Sequence, residues 1–412
     1  MRFLYLAGNE TWDQEICKSL EILEQEIAFF SFPEEIKTDE FVILSESNRY
    51  ALVETLQRRD FDAVFSLSYI HEVSVFCNML GVLYLSWTFM YPNMDLMRNS
   101  ITNPCNCFFI SDSREIERLK KLGAENVFYL PPAALGTFED ENDFEESALK
   151  EAGEIRVETG EDDGTEEKVQ KEELVSYIGK ILETNEAAFF GEDSELSAES
   201  RGYLDGLVHC QRVVYGMDIL EDAVPAKVLA ELKEKYPLQF PADVIAGDWD
   251  IYVKKWINDR VSSQERLVLV QGINNVVTVF SEDERMSKYV TRARIWKEEF
   301  KREDIITSSK INFYLTDRQA GSAIEADILE IMACGGFLLC NFCPEMEDFF
   351  VAGEDYVYFE DELDLKQKVN FYLKEEEKRK QIAQSGCRKV RSEHLMIHRI
   401  EKMLQILLYE EE

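Results

Sequence analysis

The chain has 412 residues, of which 45% are apolar and 12% aromatic, and its 81 acidic and 45 basic residues give a formal charge of −36 at pH 7. This length predicts two domains of about 150 to 200 residues. The negative charge argues against nucleic-acid partners, which need clustered Lys and Arg. No apolar run reaches the roughly 18 residues of a membrane span. The nine cysteines show no paired framework, which is typical of the reducing cytoplasm.

The first part of the chain, residues 1–138, alternates short apolar runs with polar helical stretches. Near-continuous apolar strands separated by helices predict a parallel, doubly wound sheet. The runs that predict strands are Phe3–Leu6, Ile27–Phe32, Asp62–Leu67, Leu83–Trp87, Cys107–Ser111 and Asn126–Pro131.

Residues 139–173 interrupt this alternation. They contain sixteen Asp or Glu and four Lys or Arg, a net charge of −12. Such a composition predicts a solvated linker or insertion, with docking onto a basic protein partner as the alternative.

A second α/β domain is predicted over residues 174–390, followed by a C-terminal helix over residues 391–412. Residues 200–236 read as helical. The last helix carries an apolar face at positions i, i+3 and i+4, which predicts that it packs back on the rest of the protein. The runs that predict strands are Leu174–Lys180, Glu265–Leu269, Asn275–Phe280, Ile311–Leu315 and Gly336–Cys340.

These elements predict an α/β fold of two Rossmann-like doubly wound domains. In such sheets ligands bind at the carboxyl ends of the strands, here in the cleft between the domains.

A strand–helix–Gly-Gly–strand unit in the second domain is the clearest candidate for a binding site. A helix that begins near Ser322 would present unpaired amides and a partial positive charge to a phosphate. Glu330, about two turns further on, could accept hydrogen bonds from ribose hydroxyls. Gly335 could end the helix in the left-handed conformation, and Gly336 would let the next strand start tightly. An ordinary αβ unit with a glycine cap is the alternative.

Two cations could complete this site. Lys180 follows Gly179 at the end of a predicted strand, and Arg318 precedes the Ser322 helix. Either could neutralise a departing diphosphate, so that neither a metal nor another cofactor is required. The Asp248-Trp249-Asp250 pattern keeps open an alternative metal site of the kind found in a different sugar-transferase architecture.

The first domain offers candidates for the other substrate. His71, next to Glu72 and after the Asp62–Leu67 strand, could act as a general base, or could be an ordinary helix-start residue. The segment from Trp87 to Asp95 could stack exposed rings on a sugar, although a buried apolar edge is an equally good interpretation.

Several soft motifs, taken together and in order, resemble those of the CgeB-like, spore-maturation-type glycosyltransferases of the GT-B class. The motifs cover most of the chain outside residues 139–173. They are Leu80–Trp87, Ser100–Asn106, Glu117–Pro131, Val175–Gly179, Gly202–Leu207, Ser309–Asn312, Ile331–Leu339 and His398–Arg399.

The resemblance implies two Rossmann-like domains, a nucleotide-diphosphate-sugar donor bound by the second domain, and metal-independent transfer to a glycan, spore-coat or protein acceptor. The chain departs from the family pattern in three places: Met90 stands where an acidic residue is usual, Asp327 stands where an arginine is usual, and the family's Tyr and Glu-Met-Pro turn is blurred at about residues 296–304. The departures at Met90 and Asp327 favour an alternative hypothesis, a catalytically inactive glycosyltransferase-like subunit that binds a partner protein.

Overall fold

The protein was analysed as a computed structural model. It describes residues 1–8, 10–34, 37–38, 41–58, 60–135, 173–182, 188–191, 194–220, 223–238, 240–245, 249–297 and 300–409. The acidic segment therefore lies outside the described residues, except for Glu173. The domain boundaries predicted at residues 138 and 173 adjoin this segment and stay predictions.

The first domain contains a six-stranded parallel sheet in the order β2-β1-β5-β6-β7-β8. Its strands are buried on both faces because helices cover both sides, and this explains the near-continuous apolar runs in the sequence. The elements of this domain are β1 (Arg2–Ala7), α1 (Glu10–Ile22), β2 (Glu26–Ser31), β3 (Lys37–Thr38), β4 (Val42–Ile43), α2 (Glu46–Arg58), β5 (Ala63–Leu67), α3 (His71–Leu80), β6 (Leu83–Thr88), β7 (Asn106–Ile110), α4 (Ser113–Lys121) and β8 (Val127–Tyr129).

The second domain contains another six-stranded parallel sheet, in the order β11-β10-β9-β12-β13-β14. If β9 is counted as the first strand, this order is 3-2-1-4-5-6, the order of dinucleotide-binding Rossmann folds. The elements are β9 (Glu173–Ile178), α5 (Ala198–Arg212), α6 (Ala226–Lys235), α7 (Trp249–Gly272), β10 (Val277–Ser281), β11 (Ala293–Ile295), α8 (Arg302–Thr307), β12 (Ser309–Tyr314), α9 (Ala326–Ala333), β13 (Leu338–Asn341), β14 (Val357–Phe359), α10 (Glu362–Tyr372), α11 (Glu376–Glu393) and α12 (Met396–Tyr409).

The last helix, α12, leaves the second domain and packs on the first sheet. Met396, Ile400 and Met403 share an apolar cluster with strands β1, β5, β6 and β7 and with helix α1. The predicted fold class is therefore confirmed: two Rossmann-like doubly wound domains, as in the GT-B architecture, with a C-terminal helix that packs back.

The strand predicted at Glu265–Leu269 is wrong. Residues Glu265–Leu269 do not form a strand but belong to α7, a helix of 24 residues. Leu269 and Val270 of this helix are buried against the second sheet. The other half of α7 packs with α5 and α6 through Val253, Ile257 and Val261, so that a helical unit is inserted between β9 and β10.

Hydrogen bonds from the start of α4 and the end of β8 to the segment after β13 join the two domains. The carboxylate of Glu345, which follows β13, accepts hydrogen bonds from the backbone N–H and hydroxyl of Ser113 at 3.2 and 2.8 Å and from the hydroxyl of Tyr129 at 3.0 Å. Within the described part of the chain, every helix is too short or too polar to cross a membrane.

Candidate functional site

A cavity of about 720 Å³ lies at the carboxyl ends of β9 and β10. This volume falls within the roughly 300–1,000 Å³ of typical small-molecule sites. The cavity is lined by main-chain turns, three cations, three acidic residues, two aromatic residues and two aliphatic ones: Ile178, Gly179, Lys180, Leu182, Phe280, Ser281, Glu282, Asp283, Glu284, Arg285, Trp296 and Arg302. We call it the second-domain cavity.

Gly179 and Lys180 form the turn that leads from β9 into this cavity. Gly179 has φ +145°, a conformation that residues with a side chain rarely adopt, and its N–H donates to the carbonyl oxygen of Phe280 at 2.9 Å. The hydroxyl of Tyr177 donates to the carbonyl oxygen of Lys180 at 2.9 Å and fixes the turn from the other side. The structure therefore places both predicted residues on the wall of the cavity.

Arg302, at the start of α8, connects the cavity to helix α9. Its guanidinium forms ion pairs with Asp327 and with Glu330, the second through Nε and Oε2 at 2.7 Å. Burial raises the pKa of Glu330, and the nearby Arg302 opposes that shift. Glu330, predicted to hold a ribose, thus does not line the cavity itself but forms an ion pair with Arg302, which does.

The acidic residues of the cavity lie on the loop after β10. Asp283 holds Arg285 through Oδ2 and Nη2 at 2.7 Å. Trp296 lies just after β11, is half-buried, and adds an aromatic face to the same wall. Cations, backbone turns and aromatic rings suit an anionic ligand with a flat apolar portion, which must compete with the carboxylates that pair with Arg285 and Arg302.

Ser322 lies in a turn between the domains, whereas the sequence predicted a helix start there. Helix α9 begins only at Ala326. The Ser322 hydroxyl donates to Glu345 at 3.0 Å and lies 3.3 Å from Asp112 of the first domain. A Cβ on the neighbouring Gly321 would lie 1.4 Å from the Arg114 guanidinium. This turn therefore makes a close contact between the domains.

Arg318, predicted to bind phosphate, does not line the second-domain cavity. Its guanidinium pairs with Glu265 of α7 at 2.7 and 2.9 Å and donates to the carbonyl oxygen of Val214 at 2.8 Å. Its charge also lies 4.6 Å from the centre of the Tyr215 ring. The buried Glu265 carboxylate draws Arg318 toward the helical insertion and away from the cavity.

The two glycines after α9 have different roles in the structure. Gly335 has φ +76°, and no atom lies within 4 Å of a Cβ built on it, so its conformation alone favours glycine. A Cβ on Gly336 would lie 2.6 Å from the Ile306 side chain and 2.9 Å from the Ile331 carbonyl oxygen. Gly336 thus allows close packing of α9 against β12 and α8.

A second cavity, of about 410 Å³, lies at the carboxyl ends of β1 and β5, where the strand order of the first sheet reverses. We call it the first-domain cavity. Asp95 and Met90 line it, together with Tyr69 and Tyr91. Burial raises the pKa of Asp95 to about 6. Trp87, in contrast, is fully buried in the apolar cluster beneath the sheet and donates from Nε1 to the Leu130 carbonyl oxygen at 3.2 Å.

His71 is buried at the start of α3, and both of its ring nitrogens are engaged. Nδ1 lies 2.6 Å from the Ser100 hydroxyl and Nε2 lies 2.9 Å from the Asp243 carboxylate. Since a carboxylate only accepts, Nε2 carries the proton and Nδ1 accepts from Ser100. Burial, followed by the charge of Arg98, lowers the pKa of His71. This arrangement leaves no ring lone pair for a substrate.

Three cavity residues were missed in the sequence: Arg285, Trp296 and Arg302. They lie in charged stretches without a motif of their own. The sequence indicates these residues only through their place after a strand. Arg285 follows β10, and Trp296 and Arg302 follow β11, and the carboxyl ends of these strands meet at the cavity. Asp248 of the alternative metal pattern lies outside the described residues, so that alternative stays a prediction.

Most of the second domain's C-terminal part matches a known protein family. Residues 263–405, from the second half of α7 into α12, match the family described as "Glycosyl transferase-like". This region of the chain, which carries Arg302 and Glu330, is therefore similar to that family. No curated protein matches the chain.

Solved structures that resemble the whole chain are distant in sequence. Sucrose-phosphate synthase (tll1590) from Thermosynechococcus elongatus is 10% identical, with 100% of both chains covered and a TM-score of 0.49. Anabaena Alr3699/HepE in complex with UDP and glucose is 9% identical, with 99% of this chain and 100% of that chain covered and a TM-score of 0.47. A glycosyltransferase from Rickettsia africae ESF-5 is 11% identical, with 98% and 97% covered and a TM-score of 0.48.

Proposed function

We propose that the chain is a metal-independent glycosyltransferase of the CgeB-like group. It would move a sugar from a nucleotide-diphosphate-sugar donor to a hydroxyl of a cell-surface, spore-coat or protein acceptor. One observation carries this proposal: the second-domain cavity joins the Gly179-Lys180 turn to Arg302 and Glu330 of the glycosyl transferase-like region.

The second-domain cavity supports a role for each part of the donor. The Gly179 turn and Lys180 would lie against the diphosphate, where a close backbone approach and a positive charge are needed. Trp296 would stack on the nucleobase. Glu330 would accept hydrogen bonds from the ribose hydroxyls, as acidic residues do in other nucleotide sites.

The reaction breaks the bond between the anomeric carbon of the sugar and the diphosphate oxygen, and the electron pair leaves with the diphosphate. The acceptor hydroxyl oxygen forms the new bond to that carbon and passes its proton to a base. Lys180 would stabilise the charge that develops on the leaving diphosphate, so the step needs no metal.

For the base we favour Asp95 over the predicted His71. Asp95 is buried at the wall of the first-domain cavity, and its oxygens accept hydrogen bonds from the backbone N–H groups of Val42 at 3.3 Å and His71 at 2.9 Å, but each oxygen keeps a second lone pair. Both ring nitrogens of His71, in contrast, are engaged. A carboxylate with a pKa of about 6 is ionised at neutral pH and still basic enough to accept a proton. Met90, which stands where the family has an acidic residue, lines the same cavity, so Asp95 can supply the missing carboxylate.

The alternative, an inactive subunit that binds a basic partner through residues 139–173, is favoured by the occupied ring of His71. The two proposals differ in one measurable property. An enzyme must release nucleoside diphosphate when donor and acceptor are both present, whereas an inactive subunit binds a partner without turnover.

Calorimetric titration with a panel of nucleotide sugars tests the proposal, with Glu330→Ala compared to the wild type. We expect one donor to bind and the variant to bind it more weakly, because the ribose hydroxyls lose their acceptor. Glu303→Ala, an exposed carboxylate on α8, is the matched control. If the wild type binds none of the donors, the proposed function is wrong.

A further inference from the structure

Arg302 is held by two carboxylates of the same helix at the wall of the second-domain cavity. We infer that Arg302 binds the diphosphate of the donor, and that Asp327 is the positioning residue that holds its guanidinium in place. This inference rests on the proposed function. It would explain why the chain carries an aspartate where the family it resembles has an arginine: the positive charge comes from α8 instead of α9.

Asp327 and Glu330 contact different nitrogen atoms of the Arg302 guanidinium. Asp327 and Glu330 are three residues apart on α9 and so lie on one face of the helix. Asp327 pairs with Nη2, and Glu330 pairs with Nε at 2.7 Å. Among the described residues, no hydrogen bond engages the third nitrogen, Nη1, and Nε is buried without a hydrogen bond although it lies 2.7 Å from Glu330. The Arg302 side chain is 30% exposed and lines the second-domain cavity.

An anionic ligand can bind Arg302 only by taking the place of one carboxylate. With Asp327 and Glu330 both ionised, the three side chains together carry a net charge of −1. A planar guanidinium binds phosphate oxygens through two parallel N–H bonds. A diphosphate that approaches Nη1 and Nε would displace Glu330 and leave Asp327 on Nη2. Glu330 would then be released toward the ribose hydroxyls.

The second carboxylate oxygen of Asp327, Oδ2, also has a hydrogen-bond partner. The Tyr314 hydroxyl lies 3.0 Å from Oδ2 of Asp327 and 2.7 Å from Oε2 of Glu325. Tyr314 belongs to β12 and is buried. Asp327 is therefore supported by the sheet, which suits a residue that positions Arg302 while Glu330 exchanges partners.

The test compares nucleoside diphosphates with the corresponding uncharged nucleosides by calorimetry. The probes are the uridine, guanosine, adenosine and cytidine compounds, first on the wild type and then on Arg302→Gln. Loss of a charge-assisted pair of hydrogen bonds should weaken the binding of the diphosphate by about 10- to 100-fold. The affinity for the matching nucleoside should stay within about twofold, since it lacks the phosphates.

Two further variants separate a binding role from a structural one. Lys301→Gln removes the same charge from the neighbouring exposed residue, which does not line the cavity, and should leave the affinity unchanged. In the double variant Arg302→Gln, Asp327→Arg, an arginine returns to α9, and most of the lost affinity should return.

The outcomes distinguish the inference from the proposed function. If the wild type binds no diphosphate, both are overturned. If the wild type binds and Arg302→Gln binds equally well, only the inference is overturned. If Arg302→Gln does not fold, Arg302→Lys keeps the charge without the planar fork. It should then weaken diphosphate binding several-fold, and an unchanged affinity would refute the role of Arg302.

Discussion

Replacing Arg318 by methionine should destabilise the helical insertion and leave donor binding unchanged. The Arg318 side chain is 10% exposed and that of its partner Glu265 only 3% exposed. The guanidinium holds both oxygens of that carboxylate, at 2.7 and 2.9 Å, and two backbone carbonyl oxygens, those of Arg212 at 3.3 Å and Val214 at 2.8 Å. Methionine keeps much of the apolar stem and removes all of these contacts.

The size of the expected destabilisation depends on the Glu265 carboxylate, which stays buried without its partner in Arg318→Met. Removing one partner of a buried ion pair leaves an uncompensated charge and costs about 3–5 kcal/mol. Replacing both partners with apolar residues avoids that penalty, so Glu265→Leu combined with Arg318→Met should be more stable than Arg318→Met alone. Urea unfolding of the single and double variants measures both effects.

The matched control is Lys380→Met, which removes an exposed i, i+4 pair with Glu376 on α11. It should unfold at the same urea concentration as the wild type, because exposed pairs contribute little. Donor affinity of Arg318→Met, measured on the folded protein, should stay within about twofold of the wild type. Unchanged stability together with a large loss of donor affinity would refute this reasoning and restore the phosphate role predicted for Arg318.

Three further predictions concern other parts of the molecule. Asp95→Asn should abolish most transfer activity, and wild-type activity should fall as the pH drops below about 6, because the base must be ionised; a pH–rate profile that stays flat down to pH 4 would contradict this role. Glu345→Gln should speed amide exchange at the contact between the domains, measured by mass spectrometry, because the amide nitrogen cannot accept a hydroxyl hydrogen bond. Gly336→Ala should lower the free energy of unfolding by about 1–3 kcal/mol through overpacking, whereas Gly202→Ala, in open space on α5, should raise it by about 0.5–1 kcal/mol. Equal urea midpoints for the two glycine variants would show that the predicted close contact at Gly336 is wrong.

The fold was predictable because its dominant signal is local. Segments such as Ala63–Leu67 are buried on both faces of a parallel sheet, so they appear as continuous apolar runs between helices. The segment Glu265–Leu269 gives a similar signal and predicts a strand, although it belongs to α7. A short apolar run does not distinguish a strand from a buried helix segment, and only packing on the second sheet decides.

The candidate site was predictable only where it depends on backbone position. Gly179 and Lys180 reach the cavity because the carboxyl ends of parallel strands meet there. Arg318 has an equally suitable position, but its partner Glu265 lies 53 residues earlier in the chain, and the sequence contains no sign of that pairing. Arg302 was missed for the same reason, since its link to α9 exists only in three dimensions.

Photoaffinity labelling tests the location of the donor site most directly. The reagent is an azido-base analogue of the nucleoside diphosphate that binds in calorimetry, and the labelled peptides are identified by mass spectrometry. The account predicts label on peptides that contain residues 280–285, Trp296 or Arg302 of the second-domain cavity, and loss of that label when excess unmodified nucleoside diphosphate competes. Label confined to residues 66–95 of the first-domain cavity, or label that the competitor does not reduce, would contradict a donor site in the second domain.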